Sequence, residues 1–332
     1  MSRRAKTYRA EAIIELSAPL LLGPEFMGLL RPATIGGIEA HVVVPSFGRG
    51  IVQTETTIHP RAQVDWLDFF RRRNSEDDRD WPFGGVSRWE KGGRGGVGEF
   101  SVHRLLVLPR RALTLREGRK LKAAVDDWVG LFELWVEVVA RVDLHRRHVW
   151  IERQGRSAVV WLDRGKTVEG GILAGEQKLM LNLGGTLDIT PWQWGKMLGK
   201  ASQSETPPEA HVFLRDARNA ANLGHHRRSV LDSATAAELA LTKLRDDSLA
   251  ASPAHVADHV RKSVRQIGRL ATFVGMSGAD IPTKVDKEIG GPRNEAIHGG
   301  DGLDGEIAEK ALAKAEQLVD LAFPWKKLFA SP

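Results

Sequence analysis

The alternation of apolar and polar residues changes its period partway along this chain. Over the first part the period is two, as in strands whose successive side chains face opposite ways. Tyr8, Ala10, Ala12, Ile14 and Leu16 fall on one face, with Arg9, Glu11 and Glu15 opposite. Ile38, Ala40, Val42 and Val44 repeat the pattern, as do Phe100, Val102, Leu106 and Leu108. Further strand-like runs stand at residues 149–152, 158–162 and 178–183, separated by Gly-rich turns. Between the two groups the period becomes 3.6. Leu121, Val125, Trp128, Phe132, Trp135 and Val139 mark one long helix across residues 117–142. The pattern predicts an α+β domain, a mixed sheet with one long helix packed on it.

From residue 209 onward the helical period takes over. A first helix spans residues 209–223 and stops at Gly224, a residue type favoured just past a helix C-terminus. A second, over 226–249, carries Val230, Ala234, Ala237, Leu241 and Leu244. A third follows Ser252-Pro253, with Val256, Val260, Val264, Ile267, Ala271 and Val274 as one stripe. Residues 277–292 are rich in Gly and Pro, with a short apolar pair at Val285 and Ile289. The last helix, over 305–323, carries Ile307, Ala311, Ala315, Leu318 and Ala322. This part predicts an all-α bundle of four or five helices. Residues 199–208 are small and polar and end in Pro207-Pro208, which reads as a linker. The division expected is 1–200 for the first domain, 201–208 for the connection and 209–332 for the bundle.

Composition sharpens this division. Nine of the ten tryptophans precede residue 200, so the aromatic mass sits in the α+β part. At 332 residues, with 42% apolar and 27% charged, the chain reads as globular and long enough for two cores. No apolar run approaches the roughly 18 residues that span a bilayer, so no membrane partner is expected. Basic residues open the chain (Arg3, Arg4, Lys6) without the apolar stretch of a secretory signal. There is no cysteine, which excludes disulfides, thiolate zinc sites and cysteine nucleophiles and fits a cytoplasmic protein. The net charge of +6 is uneven: 31 basic against 24 acidic residues in 1–200, but 17 against 18 beyond. Such an excess suits a polyanionic partner, and it equally suits a solvated arginine-rich surface.

The most chemically suggestive string is Arg293-Asn294-Glu295-Ala296-Ile297-His298, followed by Gly299-Gly300. Imidazole moves protons near neutral pH, and guanidinium carries a permanent charge suited to a phosphate in its transition state. Asn294 and His298 stand four residues apart, so a helix places both on one face. Arg293 lies about 140° round from His298, but its long side chain can swing back. The plainer reading is a short capped helix, with Pro292 in its first turn and His298 meeting its C-terminal dipole. Glu238 falls on the inward stripe with Leu231, Ala234 and Leu241, where an unpaired carboxylate is costly. It is either paired or a solvated glutamate at the rim.

Together these features resemble the HEPN superfamily, helical bundles with an R-x(4–6)-H motif just before the final helix. The resemblance covers residues 209–325 and rests on Arg293-Asn294-x-x-x-His298, the glycine after it and the helix that follows. It also rests on the opening pair, Phe213–Ala217 through His225-His226-Arg227-Arg228 into Ala234–Leu241. It implies a metal-independent endoribonuclease, without cofactor, active as a homodimer whose two motifs face across a cleft. The ribose 2′-oxygen then attacks the adjacent phosphate, leaving a 2′,3′-cyclic phosphate and a 5′-hydroxyl. The resemblance makes His298 the general acid/base and Arg293 the stabiliser of the pentavalent phosphate. It makes Asn294 the group that orients phosphate or imidazole, and Glu238 an acidic residue that pairs with Arg293. It implies single-stranded RNA as substrate, since in-line attack needs a flexible backbone, and toxin or antiviral-defence roles. The α+β part would then sense or position, with an unknown ligand or inhibitor as partner. The rival expectation is a non-catalytic module of the same type that holds a nucleotide or a protein.

Other strings carry less. Gly93-Arg94-Gly95-Gly96-Val97-Gly98 fits G-x-G-x-x-G, but a strand-like run follows where a dinucleotide site needs a helix, so it reads as a hairpin loop. Gly165-Lys166-Thr167 has Val160 where a phosphate loop needs glycine. His255 and His259 have the spacing of metal ligands but no clear third, so a solvated helix face is expected. His225-His226-Arg227-Arg228 could touch RNA phosphates or be a plain polar turn. Arg71-Arg72-Arg73, Arg110-Arg111 and Arg146-Arg147 could line a nucleic-acid path with nearby tryptophans, or be surface charge.

Overall fold

A computed structural model describes residues 6–47, 56–57, 84–90, 96–142, 144, 157–163, 166–170, 187–299 and 302–329. The chain divides into two compact units, residues 1–206 and 207–332. The strand-like runs at 149–152 and 178–183 lie outside the described residues, as do Arg71–Arg73 and Arg146-Arg147.

The first unit is built on an eight-stranded sheet. Its strands are β1 (Thr7–Leu22), β2 (Leu30–Ile35), β3 (Ile38–Val43), β6 (Gly84–Glu90), β7 (Gly96–Pro109), β8 (Leu113–Thr114), β9 (Ser157–Asp163) and β10 (Lys166–Gly170). A separate ribbon pairs β4 (Ser46–Phe47) with β5 (Thr56–Thr57). The order β10-β9-β1-β7-β3-β2 runs through the centre, with β6 also on β7 and β8 also on β1. Among the described residues every pairing in this sheet is antiparallel, which corrects the expected mixed sheet. The reason lies in the connections: β2 to β3, β6 to β7 and β9 to β10 are hairpins, which join antiparallel neighbours. The glycines at 96–98 begin β7 opposite β6, so the G-x-G-x-x-G string precedes a strand and not a helix.

The central strand β1 is covered on both faces. Ala12, Ile14 and Leu16 are buried as the pattern predicts, but Ile13, Glu11 and Glu15 are buried too. Glu15 stands opposite Arg104 of β7 and meets its guanidinium at 3.7 Å, with both side chains almost wholly enclosed.

The long helix α1 (Leu115–Ala140) lies where the 3.6 period puts it. Thr114 caps it, accepting from the Glu117 amide at 3.2 Å while Glu117 accepts from the Thr114 amide at 2.8 Å. The Arg111 guanidinium, and after it Thr114, hold the Glu117 carboxyl down at about 2. Leu121, Val125, Trp128, Phe132 and Trp135 are buried along its inner stripe.

A helix that the apolar period had not revealed, α2 (Pro191–Ser202), follows. Thr190 and Gln193 form a second reciprocal cap, and Pro191 pre-sets the first turn. Trp194 meets the Phe132 ring edge-on at 4.9 Å and Phe26 at 5.7 Å. Residues 199–202, expected as linker, are thus helical. The Trp135 indole donates to the Glu205 carbonyl at 2.7 Å, which keeps the next few residues on the first unit as well.

The second unit is helical throughout the described residues. Its helices are α3 (Glu209–Asn222), α4 (His226–Ser248), α5 (Ala254–Ser263), α6 (Ile267–Met276), α7 (Gly291–His298), α8 (Gly305–Ala322) and α9 (Trp325–Leu328). The single helix expected across Val256–Val274 is two. Val264 leaves the helical region (φ −108°, ψ 85°) and Gln266 is extended, so α6 starts afresh at Ile267. The Gly- and Pro-rich stretch before Pro292 holds a π-turn, Asp286–Gly290, that runs directly into α7. Ala234, Ala237, Leu241, Leu270, Val274, Ile289, Ala315 and Leu318 belong to one core. The buried His211 ring fixes the end of the unit: Nε2 lies 3.1 Å from the Phe323 carbonyl, and the ring packs on Trp325. No helix among the described residues is long and apolar enough to cross a membrane.

Thr114→Ala removes the cap of α1 and is expected to lower the stability of the first unit by about 1 kcal/mol. Urea unfolding followed by tryptophan fluorescence measures this. An unchanged midpoint would mean that sheet packing alone fixes the start of α1.

Candidate functional site

The motif string occupies α7, eight residues long. Ala296 points inward and is fully buried with Val230, Ala308 and Ala311. Ile289, two residues before the helix, is buried in the main core. These two anchors leave Asn294, Glu295, Ile297 and His298 on the exposed side. Gly299 ends the helix in the left-handed region (φ +87°), its amide bonded to the Glu295 carbonyl. The short capped helix of the plainer reading is therefore present, and it displays the motif residues.

Arg293 meets Glu238 of α4 at 3.1 Å, with each side chain about one-third exposed (34% and 30%). Of the two readings of Glu238, the paired one holds. Burial pushes its carboxyl above the ordinary carboxylate value, and the Arg293 charge opposes this only in part. Glu238 and Arg293 stand on the wall of an open cleft of about 830 Å³, with Asn294 beside them. Arg265 and Arg269 from the start of α6, together with Asp286 of the π-turn, complete its charged lining. His298 does not line this cleft. It sits exposed at the far end of α7, one helical turn from Asn294. Within one chain the structure thus places Arg293, Asn294 and Glu238 on this cleft, with His298 outside its lining one turn along α7 from Asn294.

Arg265 and Arg269 were missed by the sequence reading. Their i, i+4 spacing was visible, but a helix running unbroken through 256–274 hides that they flank a helix start. Asp286 packs close to that start. A Cβ on Gly268 or Gly290 would lie only 2.5 or 2.6 Å from its Oδ1, so a methyl group at either position would push this carboxylate aside. A carboxylate there is also favoured by the dipole of α6.

The remaining candidates are placed as follows. Arg227 donates from Nε to the Ala296 carbonyl of α7 at 2.7 Å, and Arg228 pairs with Asp232 at 2.5 Å. With His225 and His226 they line a second cleft of about 520 Å³. His255 and His259 are exposed on α5, and no cluster among the described residues is arranged to hold a metal. Arg110 pairs with Glu39 and Arg111 with Glu117 on the surface. Trp128, Trp135 and Trp194 are core; Trp192 is exposed, with the Lys196 ammonium 5.5 Å over its ring. Comparison with family models, with curated proteins and with solved structures gives no match.

Because its carboxyl is raised, Glu238 favours folding most when protonated. That contribution is whole below the ordinary value of 4.5 and is lost as pH rises through the higher folded value. Glu238→Gln, which cannot ionise, is expected to match or exceed the native chain in thermal stability near pH 7, with the gap closing toward pH 4. A gap that instead favoured the native chain near neutrality would show that the ion pair outweighs burial.

Proposed function

We propose that the helical unit is a metal-independent endoribonuclease of the HEPN type acting on single-stranded RNA. The observation that supports this best is Arg293, braced by Glu238 at 3.1 Å on the wall of an open cleft, with Asn294 adjacent. His298 is exposed on the same short helix. In this reading the 2′-oxygen attacks phosphorus, the bond to the 5′-oxygen breaks, and a 2′,3′-cyclic phosphate is left. One imidazole takes the 2′-hydroxyl proton and a second protonates the departing 5′-oxygen, which two facing copies of His298 in a homodimer supply. Arg293 bears on the charge that builds at the phosphoryl oxygens. The first unit then serves as the sensing or positioning part of an effector of the toxin or defence kind, active in the cytoplasm.

The separation of His298 from the Arg293 cleft within one chain favours a second reading. There the cleft holds a nucleotide or a partner without cutting, and His298 is a solvated helix end.

The test is incubation of the purified full chain with RNA in EDTA. Cleavage is expected to survive the chelator. His298→Ala is expected to lose about 10²–10⁴-fold in rate and Arg293→Ala about 10²–10³-fold. Cleavage that persists in both variants rules out this site, and no cleavage by the native chain favours the binding reading.

A further inference from the structure

The helical unit contains nine arginines. Six of them make ion pairs: Arg215 with Asp216, Arg218 with Glu316, Arg228 with Asp232, Arg245 with Asp246, Arg261 with Asp246 and Asp258, and Arg293 with Glu238. Among the described residues, Arg227, Arg265 and Arg269 make none. Arg227 is occupied by the Ala296 carbonyl. Arg265 makes only a long 3.4 Å contact to a carbonyl of the preceding turn, and Arg269 is exposed. Of the three guanidiniums without a carboxylate, Arg265 and Arg269 line the very cleft that holds Arg293.

We propose that Arg265 and Arg269 form a phosphate-binding subsite that seats the RNA backbone next to the phosphate held by Arg293. This rests on the nuclease reading for what Arg293 does, but its own content is the subsite. Three observations carry it. First, the cleft of about 830 Å³ is open and large enough for a nucleotide. Second, Arg265 stands in the break just before α6 and Arg269 in its first turn, and both line this one cleft, so both reach a single strand. Third, the Asp286 carboxylate packs against Gly268 at the start of α6, where its charge faces any incoming anion. An incoming phosphate is thus directed to the side chains and kept off the helix terminus. Asp286 and Glu238 lie on the same lining, and their charges repel phosphate, so the strand is held toward the arginines. Arg265 and Arg269 are positioning residues here and do not touch the reacting atoms.

The test uses the full chain and a fluorescent single-stranded RNA with every 2′-hydroxyl methylated, so that binding is read without cutting. Arg265→Ala/Arg269→Ala is expected to weaken binding at least tenfold and to lower the slope of log K against log salt by about 1.4, two contacts at about 0.7 each. Arg265→Lys/Arg269→Lys should recover most of the salt slope, and circular dichroism should match the native chain. If cleavage occurs, the alanine pair should raise KM and leave kcat within about twofold. Unchanged binding and salt slope in the folded alanine pair overturns the proposal, even if Arg293 and His298 prove essential for cutting. Lost binding in a chain that never cuts supports the subsite while the nuclease reading falls.

Discussion

An eight-residue helix has too few turns to persist by itself in water, so α7 exists only where its neighbours hold it. Ala296 and Ile289 are the two points of attachment, both fully buried. The small side chains around Ala296 decide the geometry. Val230, Ala308 and Ala311 let α4, α7 and α8 come close, which brings Arg293 within reach of Glu238. Gly268 and Gly290 serve the same end on the other side, where the Asp286 carboxylate of the π-turn packs against both. Position in this site is thus set by what is missing from side chains as much as by what they carry.

Glu238 gives the site its electrostatic character. A fully solvated carboxylate would hold Arg293 weakly, and a deeply enclosed one would hold it too firmly for any phosphate to compete. Glu238 lies between these limits. Burial raises its proton affinity, so its grip on the guanidinium is that of a partner that can be neutralised. In the proposed reaction, the arrival of an anionic phosphate adds a like charge nearby and pushes the carboxyl further in that direction. The brace that keeps Arg293 oriented in the free protein can then yield to the substrate.

Much of the architecture was legible from periodicity, because burial dictates it. The long helix α1 and the bundle helices α3, α4 and α8 stand within a few residues of the apolar stripes that announced them. Where burial is not periodic the sequence misled. The stripe from Val256 to Val274 continues in register across Val264–Gln266, and the break there is backbone geometry that no side-chain pattern encodes. Helix α2 is twelve residues long, and its inner stripe had no tertiary partner visible in the sequence; its caps, Thr190 with Gln193 and Pro191, were the available sign. The antiparallel direction of the sheet is set by its hairpin connections and not by the apolar alternation, which is the same for either direction. At the site, Arg293, Asn294 and Glu238 could be picked out from spacing and from the cost of an inward carboxylate. Arg265 and Arg269 could not, since their meaning depends on where α6 begins.

The enclosed Glu15–Arg104 pair has a consequence for how the first unit assembles. These residues are direct partners on β1 and β7. Sliding one strand by a single position would set Glu15 against Leu105 or His103 and part the enclosed carboxylate from its guanidinium. A purely apolar pair would tolerate such slippage far better. Opposite charges in the middle of a sheet therefore act as a keyed joint, rejecting misaligned partners during folding even though they add little to the strength of the finished structure.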